Sequence, residues 1–99
     1  MRLDVLRWDG PGAPDEETLR RQLLDEGFEV FHWRDEAGAE YERHAHDESL
    51  WVVDGEMHFE AGGHAVVLRS GDRLMLPRGT VHTARAGADG VTYLIGERA

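Results

Sequence analysis

From Phe28 onward, apolar residues recur at every second position in short runs. Almost every run ends at a glycine, a proline or an Asp/Ser turn. A period of two is the period of a strand, because successive side chains point to opposite faces of a sheet. The runs are Phe28–Arg34, Ala39–His46, Ser49–Val53, Glu56–Phe59, His64–Leu68, Arg73–Leu76, Val81–Arg85 and Val91–Ile95. Between them stand turn residues, among them Asp54-Gly55, read as a hairpin signal, Glu60–Gly63, Ser70–Asp72 and Gly87–Gly90. Short strands at this spacing close into a sandwich or barrel. The chain is therefore expected to be all-β over 28–99, with an arm and one helix over 1–27, in one domain overall.

The helix is expected over Pro14–Gly27. Acids fill its first turn, where the helix dipole favours them, and Gly27 can adopt the left-handed cap. Leu19 and Leu23, with Leu24 beside them, form its apolar stripe. Glu16-Glu17 and Asp25-Glu26 read as a solvated face. The arm alternates Leu3 and Val5 against Leu6 and Trp8, an apolar load that 99 residues would struggle to bury alone. A homodimer is the expectation from that load.

Composition removes several function classes. Eleven basic residues, all arginine, stand against 20 acidic ones, a net charge of −9. Such a chain is repelled by phosphate backbones and anionic membrane surfaces, so neither nucleic acid nor membrane is an expected partner. The absence of cysteine excludes disulfides, cysteine zinc sites and thiol chemistry. No apolar run approaches the roughly 18 residues of a membrane span. The first ten residues carry charges every two or three positions, without the core of a signal peptide, so the cytoplasm is the expected location.

The histidines carry the chemistry. His44 and His46 flank one residue, which on a strand puts both imidazoles on one face. That pair can hold a metal, or be two polar residues on an edge strand. His82 follows Pro77-Arg78-Gly79, where a fixed φ and a permissive glycine let the chain turn sharply and aim the next strand. His32, His58 and His64 sit among aromatic or turn residues and read as surface positions, with His58 a possible hydrogen-bonding neighbour of a metal-bound imidazole.

These spacings resemble the cupin superfamily, whose two motifs are G(X)5HXH(X)3–4E(X)6G and G(X)5PXG(X)2H(X)3N. Gly38, five residues and His44-Ala45-His46 match the start of the first motif, and Glu48, six residues and Gly55 match its end. Gly71, five residues, Pro77-Arg78-Gly79, two residues and His82 match the second. Ala86 stands where the family has Asn, and one residue separates His46 from Glu48 where the family has three or four. Glu48 therefore either reaches a metal or faces solvent in a tightened turn with Asp47.

The resemblance implies a single-domain cupin, a double-stranded β-helix or jelly-roll barrel with one N-terminal α-helix. It implies a divalent metal ion (Fe, Mn, Ni, Cu or Zn) held by His44, His46 and His82, with Glu48 or Asp47 as candidates to complete the shell. It implies a small-molecule ligand or substrate, and dioxygenase, isomerase and decarboxylase chemistry are all open. Trp33, Tyr41, Trp51, Met75 and Tyr93 are candidates to line a pocket, or else plain core. The alternative function is a non-catalytic binding or sensing module with a structural metal or none.

Overall fold

A computed structural model of the protein describes residues 4–8, 10, 12–37, 40–42 and 47–98. The elements are β1 (Asp4–Leu6), α1 (Glu16–Asp25), β2 (Glu29–Asp35), β3 (Glu40–Glu42), β4 (Asp47–Ala61), β5 (His64–Arg69), β6 (Arg73–Leu76) and β7 (His82–Arg98). All strand pairs are antiparallel, in the order β1-β6-β4-β7-β2, with β3 on β7 and β5 on β4. Among the described residues no helix is long and apolar enough to cross a membrane.

Two strands are longer than the sequence periodicity suggests. Asp54-Gly55 is not a hairpin: β4 runs through it, and the register with β7 slips between Val52 and Asp54 and again between Gly55 and Met57. Gly87–Gly90 is likewise inside β7, bowing out where pairing steps from Gly55↔Val91 to Met57↔Ala86. Turn-forming residues here make bulges, which bend a strand and sharpen its twist. The first half of β4 pairs with the last half of β7, and the last half of β4 with the first half of β7. Each strand thus contributes to two facing halves of the barrel, whose inner faces bury Leu50, Val52, Met57, Phe59, Leu68 and Tyr93 in one cluster.

Gly55 makes the bend possible. Its φ is +87°, and a Cβ there would stand 2.3 Å from the Gly90 carbonyl oxygen. The Gly62-Gly63 turn between β4 and β5 is as expected, both residues at positive φ.

The helix forms two residues inside each expected end, and Gly27 turns left-handed after it (φ +90°). Leu19 and Leu23 are buried against Phe28, Trp51 and Leu94 on the outer face of the sheet. Leu24 is exposed, because an apolar stripe this narrow turns only one leucine of the adjacent pair inward. Glu26 is exposed, as expected, and also accepts from the buried Arg73 guanidinium at 2.6 and 3.1 Å. Arg73 also donates to Ser49 Oγ at 2.6 Å and lies 4.7 Å over the Trp51 ring. The hydrogen bonds from Arg73 hold the Glu26 carboxyl below its ordinary range.

The arm is fastened by Asp72. Its carboxylate accepts from Arg7 (2.7 Å) and from the backbone N–H groups of Arg69 (2.9 Å) and Trp8 (3.2 Å). Burial alone would raise its pKa, but these donors outweigh burial and lower it. A depressed carboxyl stabilises the fold above its unfolded value and loses that contribution as pH falls through its folded value. Asp72→Asn is therefore expected to cost about 1–2 kcal/mol at pH 7, from charged hydrogen bonds weakened. Urea unfolding of both proteins from pH 7 down to pH 3 should show the difference shrinking below about pH 4, near the ordinary carboxylate value. A pH-independent difference would mean that the charge plays no part.

Candidate functional site

The turn after β6 sets up His82. Pro77 ends the strand, Gly79 takes φ +76°, and Thr80 closes the turn with its N–H and hydroxyl on the Pro77 carbonyl at 3.3 and 2.7 Å. Asp47 caps the same turn by accepting from the Arg78 N–H at 2.8 Å. The chain then enters β7 with His82 buried, 3% exposed. The His82 ring stacks on Phe59, centroids 4.8 Å apart and planes 18° from parallel. Its Nδ1 lies 3.0 Å from the Thr80 carbonyl oxygen. A carbonyl only accepts, so Nδ1 carries the proton and Nε2 the lone pair of the neutral ring. That is the arrangement by which proteins orient a metal-bound imidazole.

His82 opens onto a cavity of about 200 Å³ between the two halves of the barrel. One wall is Leu50, Ile95, Tyr93 and Trp33, from three adjacent strands, and the other is Met57 and Ala84. Trp33 and Tyr93 are direct cross-strand neighbours. One carboxylate pins both, because Asp35 accepts from the Tyr93 hydroxyl at 2.6 Å and from Trp33 Nε1 at 3.1 Å.

Of the other candidate pocket residues, Trp51 and Met75 pack on the opposite face of the sheet, with the helix. Trp51 donates to the Gly71 carbonyl there at 2.9 Å. Strand parity separates them from Leu50, which faces the cavity. The Tyr41 backbone pairs with Ala84 on β7, and its side chain lies outside the described residues, as do His44 and His46. Among the described residues no three His, Asp or Glu side chains gather.

Glu48 is buried, 2% exposed, on the same strand face as Leu50. It borders a second cavity with Asp4, Met75 and Arg98 and does not line the one at His82. Burial pushes its carboxyl up to about 8, and the facing Glu97 carboxylate adds to the rise. Asp47 is occupied with the turn before His82. His58 is half-exposed and contacts Glu56 at 2.8 Å, His32 lies 3.4 Å from Glu16, and His64 is exposed.

A sequence model of the cupin domain matches residues 30–95. The chain belongs to the cupin domain family. Solved structures agree with that assignment. An RmlC-like cupin from Shewanella frigidimarina is similar at 29% identity, with a TM-score of 0.61, over 71% of this cupin and 65% of that chain. A DMSP lyase, DddQ, from Ruegeria pomeroyi is similar at 26% identity and TM-score 0.65 over 71% of this chain, which spans only 37% of that one. A DUF861 family protein from Thermotoga maritima shares the fold over 98% of this cupin and 100% of its own chain at 15% identity and TM-score 0.63. Comparison with curated proteins finds no match.

The site residues that the sequence did not single out are Phe59, Thr80 and Asp35. Phe59 shares strand parity with Met57, and Asp35 with Trp33, so their facing was readable. The Phe59–His82 and Asp35–Tyr93 contacts join elements that only the folded barrel brings together, whereas Thr80 bonds within its own turn.

Proposed function

We propose that this cupin holds one divalent transition metal ion on His44, His46 and His82, and that a small organic molecule binds beside it in the cavity between the two barrel halves. One observation carries the reading: both ends of the segment containing His44 and His46 are tethered next to His82. On one side, Glu42 pairs with Thr83, the residue after His82. On the other, Asp47 is bonded to Arg78 in the turn before His82. His44 follows Glu42 by two residues and His46 immediately precedes Asp47. Two residues span no more than about 7 Å of backbone, and these two tethers are what support a three-histidine site.

The donor set fits such an ion, since three neutral imidazoles suit Fe, Mn, Ni, Cu or Zn and leave coordination positions open. A bound ion would supply Lewis-acid or redox chemistry to an oxygen-bearing ligand. His82, held by Thr80 and Phe59, would supply Nε2 to such an ion. Similarity to a lyase supports a reacting ligand only at this level, given the short stretch of that protein the chain spans.

The test is element-resolved metal content of protein purified without a nickel resin. About one equivalent of a transition metal per chain is expected, falling below about a tenth in His44→Ala/His46→Ala. Glu48→Gln is expected to leave that content intact, because Glu48 borders a different cavity. Metal-free protein that takes up no ion on reconstitution would remove the reading.

A further inference from the structure

The lining of the cavity at His82 narrows what can enter it. This inference rests on the reading of that cavity as the ligand site. Among the described residues, Trp33, Leu50, Met57, Ala84 and Ile95 line it together with His82 and Tyr93. The Tyr93 hydroxyl and the Trp33 N–H both donate to Asp35. Among the described residues no arginine lines the cavity, and the chain has no lysine, since all eleven basic residues are arginine. From the juxtaposition of this apolar chamber with the His82 imidazole at its wall, we infer that the ligand is a small carbon-rich molecule, of the size of one six-membered ring, with its oxygen atoms gathered on the side facing His82.

Size and desolvation set the limits. The cavity holds about 200 Å³. Pockets for drug-sized molecules run to about 300–1,000 Å³, whereas an apolar cavity of about 150 Å³ takes benzene. A ring with one or two substituents therefore fills it. A sugar carries hydroxyls all round its ring, and each one buried without a partner costs about 1–3 kcal/mol. A phosphate ester brings a charge for which none of the described lining residues supplies a cation, in a chain of net charge −9. The Trp33–Tyr93 pair offers the opposite: a continuous aromatic surface, held in place by Asp35, against which a flat ring packs. Trp33 is 52% exposed and stands at an edge, since among the described residues β2 ends the sheet order beside β7.

Calorimetric titrations with phenol, catechol, glucose and glucose 6-phosphate test this, on protein stripped with chelator and on protein reloaded with zinc. Phenol and catechol are expected to bind saturably, with catechol tighter on the zinc-loaded form. Glucose and glucose 6-phosphate should bind at least about tenfold more weakly. Trp33→Ala, at an exposed edge where folding is little affected, should weaken catechol about tenfold. Ala84→Leu, which fills the chamber, should do the same, and its melting curve reports whether it folds. If either sugar binds as well as catechol, or Trp33→Ala leaves catechol unchanged, the inference is overturned. The two readings fail separately. Phenol binding to a chain that takes up no zinc upholds the inference and sinks the metal site, and zinc uptake without any ring binding does the reverse.

Discussion

Gly55→Ala is expected to lower stability by about 3–5 kcal/mol, the sum of left-handed backbone strain and overpacking. The added methyl would stand 2.3 Å from the Gly90 carbonyl oxygen and 3.0 Å from the Val91 Cα. Both atoms are backbone in the facing strand, so no side chain can rotate away. A domain of this size has about 5–15 kcal/mol in all, so the variant should melt at least about 15 °C lower. Gly63→Ala is the matched control. Gly63 has φ +80° and nothing within 4 Å of its Cβ position, so it bears the strain without the collision. Its cost should be about 1–2 kcal/mol. Thermal melts that place the two variants together would show that β4 and β7 are free to move apart at the bend.

His82→Ala is expected to weaken metal binding by more than about a hundredfold, above the effect of losing a hydrogen-bonding partner of a ligand. It should also destabilise the metal-free chain by about 2–3 kcal/mol, because a buried ring stacked on Phe59 is replaced by a void. The two effects separate in one experiment. Zinc at about a hundred times its Kd should stabilise the natural chain by about 2.7 kcal/mol through mass action. The variant should gain almost nothing from the same zinc. An equal gain in both proteins would place the ion elsewhere.

Much of the barrel was legible because its strands alternate on either side of the bulges. Leu50, Val52, Met57, Phe59 and Ala61 all point inward, and the helix buries Leu19 and Leu23 as its periodicity requires. The bends were not legible. Asp54-Gly55 and Gly87–Gly90 carry the residue types of a turn, and local chemistry does not distinguish a chain that reverses from one that kinks and continues. The difference lies in the long-range pairing of β4 with β7. Within the site, motif spacing pointed to His82, and the structure buries it at the cavity wall. His44 and His46 lie outside the described residues. Pocket candidates were sorted only by the facing of their strands: Trp33 and Tyr93 face the cavity, while Trp51 and Met75 face the helix. The bond from Arg73 to the exposed Glu26 was not legible, because the two lie 47 residues apart.

The long strands β4 and β7 each serve both walls of the barrel. Neither wall can come loose while the other stays folded, since the same two backbones would have to be ordered along half their length and frayed along the rest. Heat or denaturant should therefore dismantle the container in a single cooperative event, with amide protons in the middle of both strands exchanging only when the whole chain opens.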